Sequence, residues 1–166
     1  MPAGRPRGLQ LDPATPSPVR QGVVDIRSRG RAQLPSHLMS SLTWVPKPKQ
    51  SIEALAVLEP GYLFIVPWKT EGLKVLARRA DLIALSEKDS EALFLLTELE
   101  NRYKRIEISS DYRVTLSSEI TLHLELSDSE DSRAFAFLVK DRIELHSKSY
   151  HEQMLEAKGS VFDDLP

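Results

Sequence analysis

The 166-residue chain contains no cysteine, which excludes disulfides, thiolate metal ligands and cysteine nucleophiles. No apolar run approaches the roughly 20 residues that a membrane-spanning helix needs. The first residues are rich in proline, glycine and arginine, and they lack the apolar stretch of a signal peptide. Together these absences predict a cytoplasmic protein with no membrane partner.

Recognisable catalytic motifs are missing as well. The chain has no Gly-x-Ser-x-Gly elbow, no glycine-rich phosphate loop and no His-Glu-x-x-His metal pair. Its histidines are spaced too loosely to share a metal ion, and we interpret them as surface or packing residues: His37, His123, His146 and His151. We therefore expect no enzyme activity, no metal, no cofactor and no small-molecule substrate.

Charge is distributed unevenly along the chain. The net charge is −2, yet residues 1–31 hold six arginines and two aspartates, so this end carries +4 and the remainder carries −6. A basic end on an acidic body is typical of a protein that turns one end toward a polyanion. The alternative is a solvated arginine- and proline-rich tail without a partner.

The chain contains an internal repeat. Residues 24–36 return as residues 106–118 at a constant offset of 82, with arginine kept at the turn of both copies. The identical pairs include Ile26/Ile108, Ser28/Ser110, Arg31/Arg113, Leu34/Leu116 and Ser36/Ser118. Such a repeat indicates a unit that buries its apolar face against a copy of itself. Since a unit of about 60 residues is marginal alone, we expect both copies to share one core.

The repeat predicts how the chain is organised. We expect a disordered arginine- and proline-rich leader at 1–21, a first repeat at 22–85, a connecting helix at 86–104, a second repeat at 105–157 and an acidic tail at 158–166. Period-two alternation and turn residues predict strands at 23–27, 52–58, 62–66, 134–139 and 142–146. The predicted fold class is mainly β with peripheral helices, and the connecting helix is expected to cover the joint core.

One candidate site remains, the arginine-bearing turn. If the two copies are related by pseudo-symmetry, their turns expose four arginines on one side: Arg27, Arg29, Arg31 and Arg113. A guanidinium group forks onto phosphates or a guanine edge, so this pattern is typical of a nucleic-acid contact. Equally, Arg31 and Arg113 could pair with nearby acids and tie the strands together. The residues alone leave both interpretations open.

The stretch from Arg29 to Pro35, after the strand at 23–27, resembles the AbrB-like superfamily, in which a strand and a Gly-Arg turn lead into a Leu-Pro helix start. Two such units, the second ending in Asp141-Arg142-Ile143-Glu144-Leu145, resemble the MraZ branch. The resemblance covers residues 22–155. It implies a tandem swapped-hairpin barrel with a pseudo-two-fold axis within the chain.

The resemblance also implies a function. Proteins of this family are DNA-binding transcriptional regulators, associated with the nucleoid and assembled as a homo-oligomer, either a dimer or a ring, without a cofactor. The family's turn arginine corresponds to Arg31 and Arg113. Its preceding aspartate is replaced by Arg27 and Ser109, and Tyr112 stands where glycine is usual. The alternative is an antitoxin-like or scaffold protein that keeps the fold and has lost DNA recognition.

Overall fold

The computed structural model describes residues 20–45, 50–126 and 132–163, with side chains to residue 157. Within these residues, eight strands and five α-helices follow one another. The strands are β1 (Gln21–Arg27), β2 (Arg31–Gln33), β3 (Ile52–Glu59), β4 (Tyr62–Pro67), β5 (Tyr103–Ile108), β6 (Arg113–Thr115), β7 (Ser132–Val139) and β8 (Arg142–His146). The helices are α1 (Ser36–Met39), α2 (Leu73–Ser86), α3 (Ser90–Arg102), α4 (Ser118–His123) and α5 (Lys148–Asp163).

The strands form a closed antiparallel barrel in the order β1-β2-β6-β5-β3-β4-β8-β7. Alternate residues of each strand point inward and fill the barrel, while the residues between them face outward. Fully buried side chains come from both halves of the chain, among them Ile26, Leu63, Ile108 and Leu145. The fold is therefore mainly β with peripheral helices, as the sequence predicts, and both copies share one core.

Around the barrel, pairs of strands from the N-terminal half alternate with pairs of strands from the C-terminal half. Strand β1 pairs with β7, while β5 pairs with β3, so each N-terminal strand of one copy lies against a strand of the other. The registers correspond: Val24 lies opposite Ala134, and Ile106 lies opposite Ala54. Neither half could close the barrel alone, because each supplies only every second pair of neighbouring strands.

The predicted strands and hairpins agree with the structure to within two residues, and the glycine predicted at the first turn has φ +73°. The connecting segment differs. Its helix α3 ends at Arg102, Tyr103 already belongs to β5, and Asp89 caps α3 by accepting from the Glu91 amide at 2.9 Å. The C-terminal helix continues to Asp163, into the segment predicted as a tail.

The expectation that the connecting helix covers the joint core is wrong. Of the α3 residues only Ala92 is buried, and Leu93 and Phe94 are exposed. The core lies inside the barrel, closed by its own strands, so α3 packs against α2 and the outer surface of β3 and β5 instead. No helix in the described ranges is long and apolar enough to cross a membrane. Of the predicted leader, residues 1–19 lie outside the described residues, and Gln21 already belongs to β1.

Candidate nucleic-acid interface

The first repeat's turn, Ser28–Gly30, is the tightest point of the candidate site. Arg29 and Gly30 both have positive φ, +65° and +73°. A β-carbon at Gly30 would lie 2.0 Å from the carbonyl oxygen of Leu116, so only glycine fits. The Gly30 carbonyl accepts the Leu116 amide at 2.8 Å, which ties this turn to the second repeat.

This turn sets two arginines opposite each other. Arg27 ends β1, Arg31 begins β2, and the two are cross-strand partners with exposed side chains. Arg31 donates from Nε to the Ser28 carbonyl oxygen at 3.3 Å. Directly opposed residues on neighbouring strands have β-carbons about 5 Å apart, and like charges at that distance destabilise the pair. Two positive charges therefore lie close together at the end of this hairpin.

The second repeat adds its arginine to the same surface. Strand β2 pairs with β6, so Arg31 lies opposite Thr115 and Gln33 lies opposite Arg113. Between them Ala32 and Val114 point into the core, so the other four side chains all face outward. Arg27, Arg31 and Arg113 line one concave surface of about 720 Å³, hereafter the arginine groove. Its further lining residues include Val23, Asp25, Gln33, Pro35, Ser36 and Thr115.

The acidic residue of the groove lining, Asp25, pairs with an arginine of another strand. Asp25 forms an ion pair with Arg133 at 3.1 Å, and both side chains are largely exposed. Within residues 20–45, 50–126 and 132–157, no carboxylate lies within ion-pair distance of Arg27, Arg29 or Arg31. Among the described residues these three guanidinium groups therefore have no ion-pair partner, and only Arg31 is hydrogen-bonded, to Ser28.

Arg113 differs from the first-repeat arginines because it has an acidic neighbour. Its Nε lies 3.1 Å from Asp111 and 3.4 Å from the Gln33 side-chain oxygen. The Ser109 hydroxyl donates to Asp111 and lowers the pKa of that carboxyl, and the positive charge of Arg113 lowers it further. Both members of the ion pair are exposed, so the contact lies at the surface.

The fourth predicted site residue, Arg29, and the arginines of the basic N-terminal end are placed as follows. Arg29 is exposed on the turn itself and is not among the residues that line the groove. Arg20 is exposed at the start of β1, whereas Arg5 and Arg7 lie outside the described residues.

Comparison with known proteins adds no family to this geometry. No protein-family model and no curated protein matches the sequence. The resemblance to AbrB-like domains therefore stays a prediction from the residues.

Two groove residues were not among the sequence-based candidates, although a pattern in the chain points to them. Gln33 lies two residues after Arg31, and Thr115 lies two after Arg113, so period-two alternation puts each on the face of its arginine. Arg133 does not line the groove, and its ion pair with Asp25 could not have been predicted, because that contact depends on the register of β1 against β7.

Two histidines form a separate aromatic cluster where α5 meets the barrel. His146 is buried, with Nε2 3.0 Å from Glu144, and it packs edge-on against Tyr62 and Tyr150. His151 stacks on Phe135 at 3.9 Å, and burial lowers its pKa. Ring packing explains both positions. Among the described residues no group of histidine, aspartate or glutamate is arranged to hold a metal ion.

A second concavity, of about 650 Å³, lies between the outer surface of β3 and β4 and the helices α2 and α3. Its floor is apolar, with Leu55, Val57 and Phe64. Most of its charged groups are already paired within the chain, as Arg102 is with Glu59 and Arg142 with Glu144. In the arginine groove, by contrast, Arg27 and Arg31 have no ion-pair partner among the described residues, so the groove keeps a net positive charge.

Proposed function

We propose that this protein is a DNA-binding transcriptional regulator of the MraZ/AbrB type, whose arginine groove contacts double-stranded DNA. Its barrel is then a tandem swapped-hairpin fold with a pseudo-two-fold axis inside one chain. The regulator acts without a cofactor, in the cytoplasm and on the nucleoid, as a homo-oligomer. Catalysis is not part of the mechanism.

The strand registers support the proposed pseudo-symmetry. An offset of 82 carries Val24 to Ile106, and an offset of 80 carries Ala54 to Ala134. The pair Val24–Ala134 therefore corresponds to the pair Ile106–Ala54, and both are observed. The cross-repeat bonds correspond too, since Leu116 donates to Gly30 and Leu34 donates to Tyr112. An exchange of N-terminal hairpins between two halves produces this pattern.

One observation supports DNA contact most strongly: Arg27 and Arg31 lie opposite each other, exposed, and no carboxylate in the described part of the chain lies within ion-pair distance of them. A cross-strand pair of like charges costs stability, so a purely structural role does not explain it. Phosphate groups would neutralise both guanidinium groups and accept their forked hydrogen bonds. A bound polyanion would therefore relieve the repulsion between the two arginines, which the described part of the folded chain leaves uncompensated.

Other groups of the groove suit the same ligand. Gln33 and Thr115 add neutral donors beside the arginines, of the kind that position a protein on the DNA backbone. Arg113 contributes to DNA binding when a phosphate replaces Asp111 as its partner. Arg29, exposed on the turn, offers a further guanidinium group to the DNA. The leader arginines, among them Arg5 and Arg7, add attraction that does not depend on base sequence.

The experiment that tests this proposal is DNA binding by the full chain at 50 and 200 mM salt, using the DNA upstream of its own gene. Arg31→Ala should weaken binding by about 1–3 kcal/mol if Arg31 reads a base edge, and less if it contacts phosphate only. Binding should also fall steeply with salt, because neutralised phosphates release counterions.

A matched control is Arg78→Ala, which removes another exposed arginine, on α2 and outside the groove lining. It changes the net charge by the same amount and should leave DNA affinity nearly unchanged. Salt-insensitive binding, or equal losses in the two variants, would contradict the proposal.

The second candidate is an antitoxin-like or scaffold protein that keeps the barrel without DNA recognition. Two observations favour it: Asp111 neutralises Arg113, and exposed leucines on α2 and α3 offer a protein-binding surface. The same experiment separates the two, since this candidate predicts no DNA binding even at 50 mM salt.

A further inference from the structure

Helix α2 has two apolar sides, and only one of them packs against the described part of the chain. Leu82 is buried and Val75 half-buried on the side that faces the barrel and α3. The opposite side carries six exposed apolar residues: Leu73, Leu76, Ala77, Ala80, Ile83 and Ala84. Their spacing of i, i+3, i+4, i+7, i+10 and i+11 makes a continuous stripe along the helix. We call it the α2 stripe.

The exposure of the α2 stripe is unusual for side chains of this kind. Leu73 is 52 % exposed, Leu76 43 % and Ile83 40 %. One apolar side is enough for a helix to pack on its own domain, so the second apolar side of α2 calls for another explanation. A contiguous exposed apolar surface marks an interaction site. Arg79 pairs with Glu100 of α3 at 3.6 Å, so α3 lies on the Arg79 side of α2 and does not cover the α2 stripe.

We propose that the α2 stripe pairs in antiparallel orientation with the α2 stripe of a second copy of this chain. The proposal gives the homo-oligomer of the proposed function a specific surface. With the two-fold axis near residue 78, each stripe faces the other along its length: Leu73 lies opposite Ile83 of the second copy, and Leu76 lies opposite Ala80. The small side chain of Ala80 leaves room for Leu76, so the helices can approach closely at the centre of the stripe.

The charges beside the stripe suit the same arrangement. Lys74 and Asp81 are seven residues apart, so they lie on one flank of α2, two turns from each other. In an antiparallel pair this flank meets itself, and each Lys74 comes next to Asp81 of the other copy. Two reciprocal ion pairs result, in which Lys74 gains Asp81 beside its existing partner Glu71, 3.5 Å away in its own chain. A parallel pair would bring no such complementarity on this flank.

The first test is the mass of the full chain in solution over a concentration series, without DNA. We expect a dimer that dissociates in the micromolar range, because one pair of 14-residue helices is smaller than a standard stable interface. Leu76→Glu should raise the dissociation constant at least tenfold. The matched control is Leu122→Glu, an equally apolar and more exposed residue on α4, which should leave the dimer unchanged.

The second test uses the absence of cysteine in the chain. Ala77→Cys places the two thiols about 3 Å apart along the helix axis in the antiparallel pair, whereas Ala84→Cys places them about 18 Å apart. Mild oxidation should therefore link Ala77→Cys copies and not Ala84→Cys copies. Equal linking of both variants would overturn the antiparallel register.

Charge reversal gives the third test. Lys74→Glu and Asp81→Lys should each weaken the dimer, and the double variant should restore it.

A monomer at every concentration, or a dimer unaffected by Leu76→Glu, would overturn the proposal. Another segment of the chain or a different protein would then cover the α2 stripe. Because none of these measurements involves DNA, their failure leaves the arginine groove untouched, and failure of DNA binding leaves the dimer untouched.

Discussion

The two repeats place equivalent turns side by side, yet the turns differ in what their charged groups contact. In the first turn Arg27 and Arg31 have no acidic partner among the described residues. In the second, Asp111 accepts from Ser109 and pairs with Arg113, while the Arg113 amide donates to the Ser109 hydroxyl at 3.0 Å. The first turn is open toward an external ligand, and the second satisfies its own polar groups.

The comparison extends to the backbone. Gly30 and Tyr112 occupy equivalent positions and have nearly equal φ, +73° and +66°. A β-carbon fits at Tyr112, whose ring packs against the core, but not at Gly30, where Leu116 is too close. The same backbone shape therefore accepts different residues at the two turns, and the turns differ in whether their arginine pairs with an acid among the described residues.

The largest expected effect comes from Gly30→Ala. It should lower the free energy of unfolding by about 3 kcal/mol, because the new β-carbon meets Leu116 and positive φ strains any side chain. The control, Tyr112→Ala, keeps a β-carbon already tolerated there and should cost about 1 kcal/mol for the partly buried ring. Urea denaturation measures both. Equal losses would mean that the two turns do not differ in this way.

A smaller effect is expected from Asp111→Asn. Removing this charge frees Arg113 and should strengthen DNA binding about two- to fivefold, the range of an exposed ion pair. Glu107→Gln makes the same change in charge at an exposed residue of β5 that does not line the groove, and its effect should be smaller. An affinity unchanged by Asp111→Asn would show that Arg113 takes no part in binding.

The smallest effect concerns stability. Arg27→Gln removes the like charge opposite Arg31 and should raise the free energy of unfolding by about 0.2–1 kcal/mol at low salt. At 1 M salt the gain should nearly vanish through screening. Arg133→Gln, which breaks the pair with Asp25, should have the opposite sign. If Arg27→Gln instead destabilised the protein, the arginine would have a structural role.

Local patterns predicted most of the strands correctly. Period-two alternation and the Glu59-Pro60-Gly61 turn indicated the β3–β4 hairpin, because a half-buried strand and a tight turn each leave a short-range signal. The internal repeat predicted a core shared by both copies. The position of α3 could not be predicted in the same way, since its apolar side faces the outside of the barrel and α2 rather than the core.

The site was predictable in part. The repeat singled out Arg31 and Arg113, and strand pairing brings them together with Arg27 in one groove. The sequence alone did not show which of these arginines forms an ion pair with an acid. Arg113 pairs with Asp111 two residues away, whereas Asp25 pairs with Arg133, which is distant in the chain and becomes a neighbour only through the register of β1 and β7.

The most direct test of this account compares Arg31→Ala with Arg113→Ala in one DNA-binding assay under identical conditions. The two residues occupy equivalent positions and differ in their acidic neighbours. We predict at least a tenfold loss of affinity, about 1.4 kcal/mol, for Arg31→Ala and less than a threefold loss for Arg113→Ala. Equal losses, or a larger loss for Arg113→Ala, would contradict the assignment of DNA binding to the first turn.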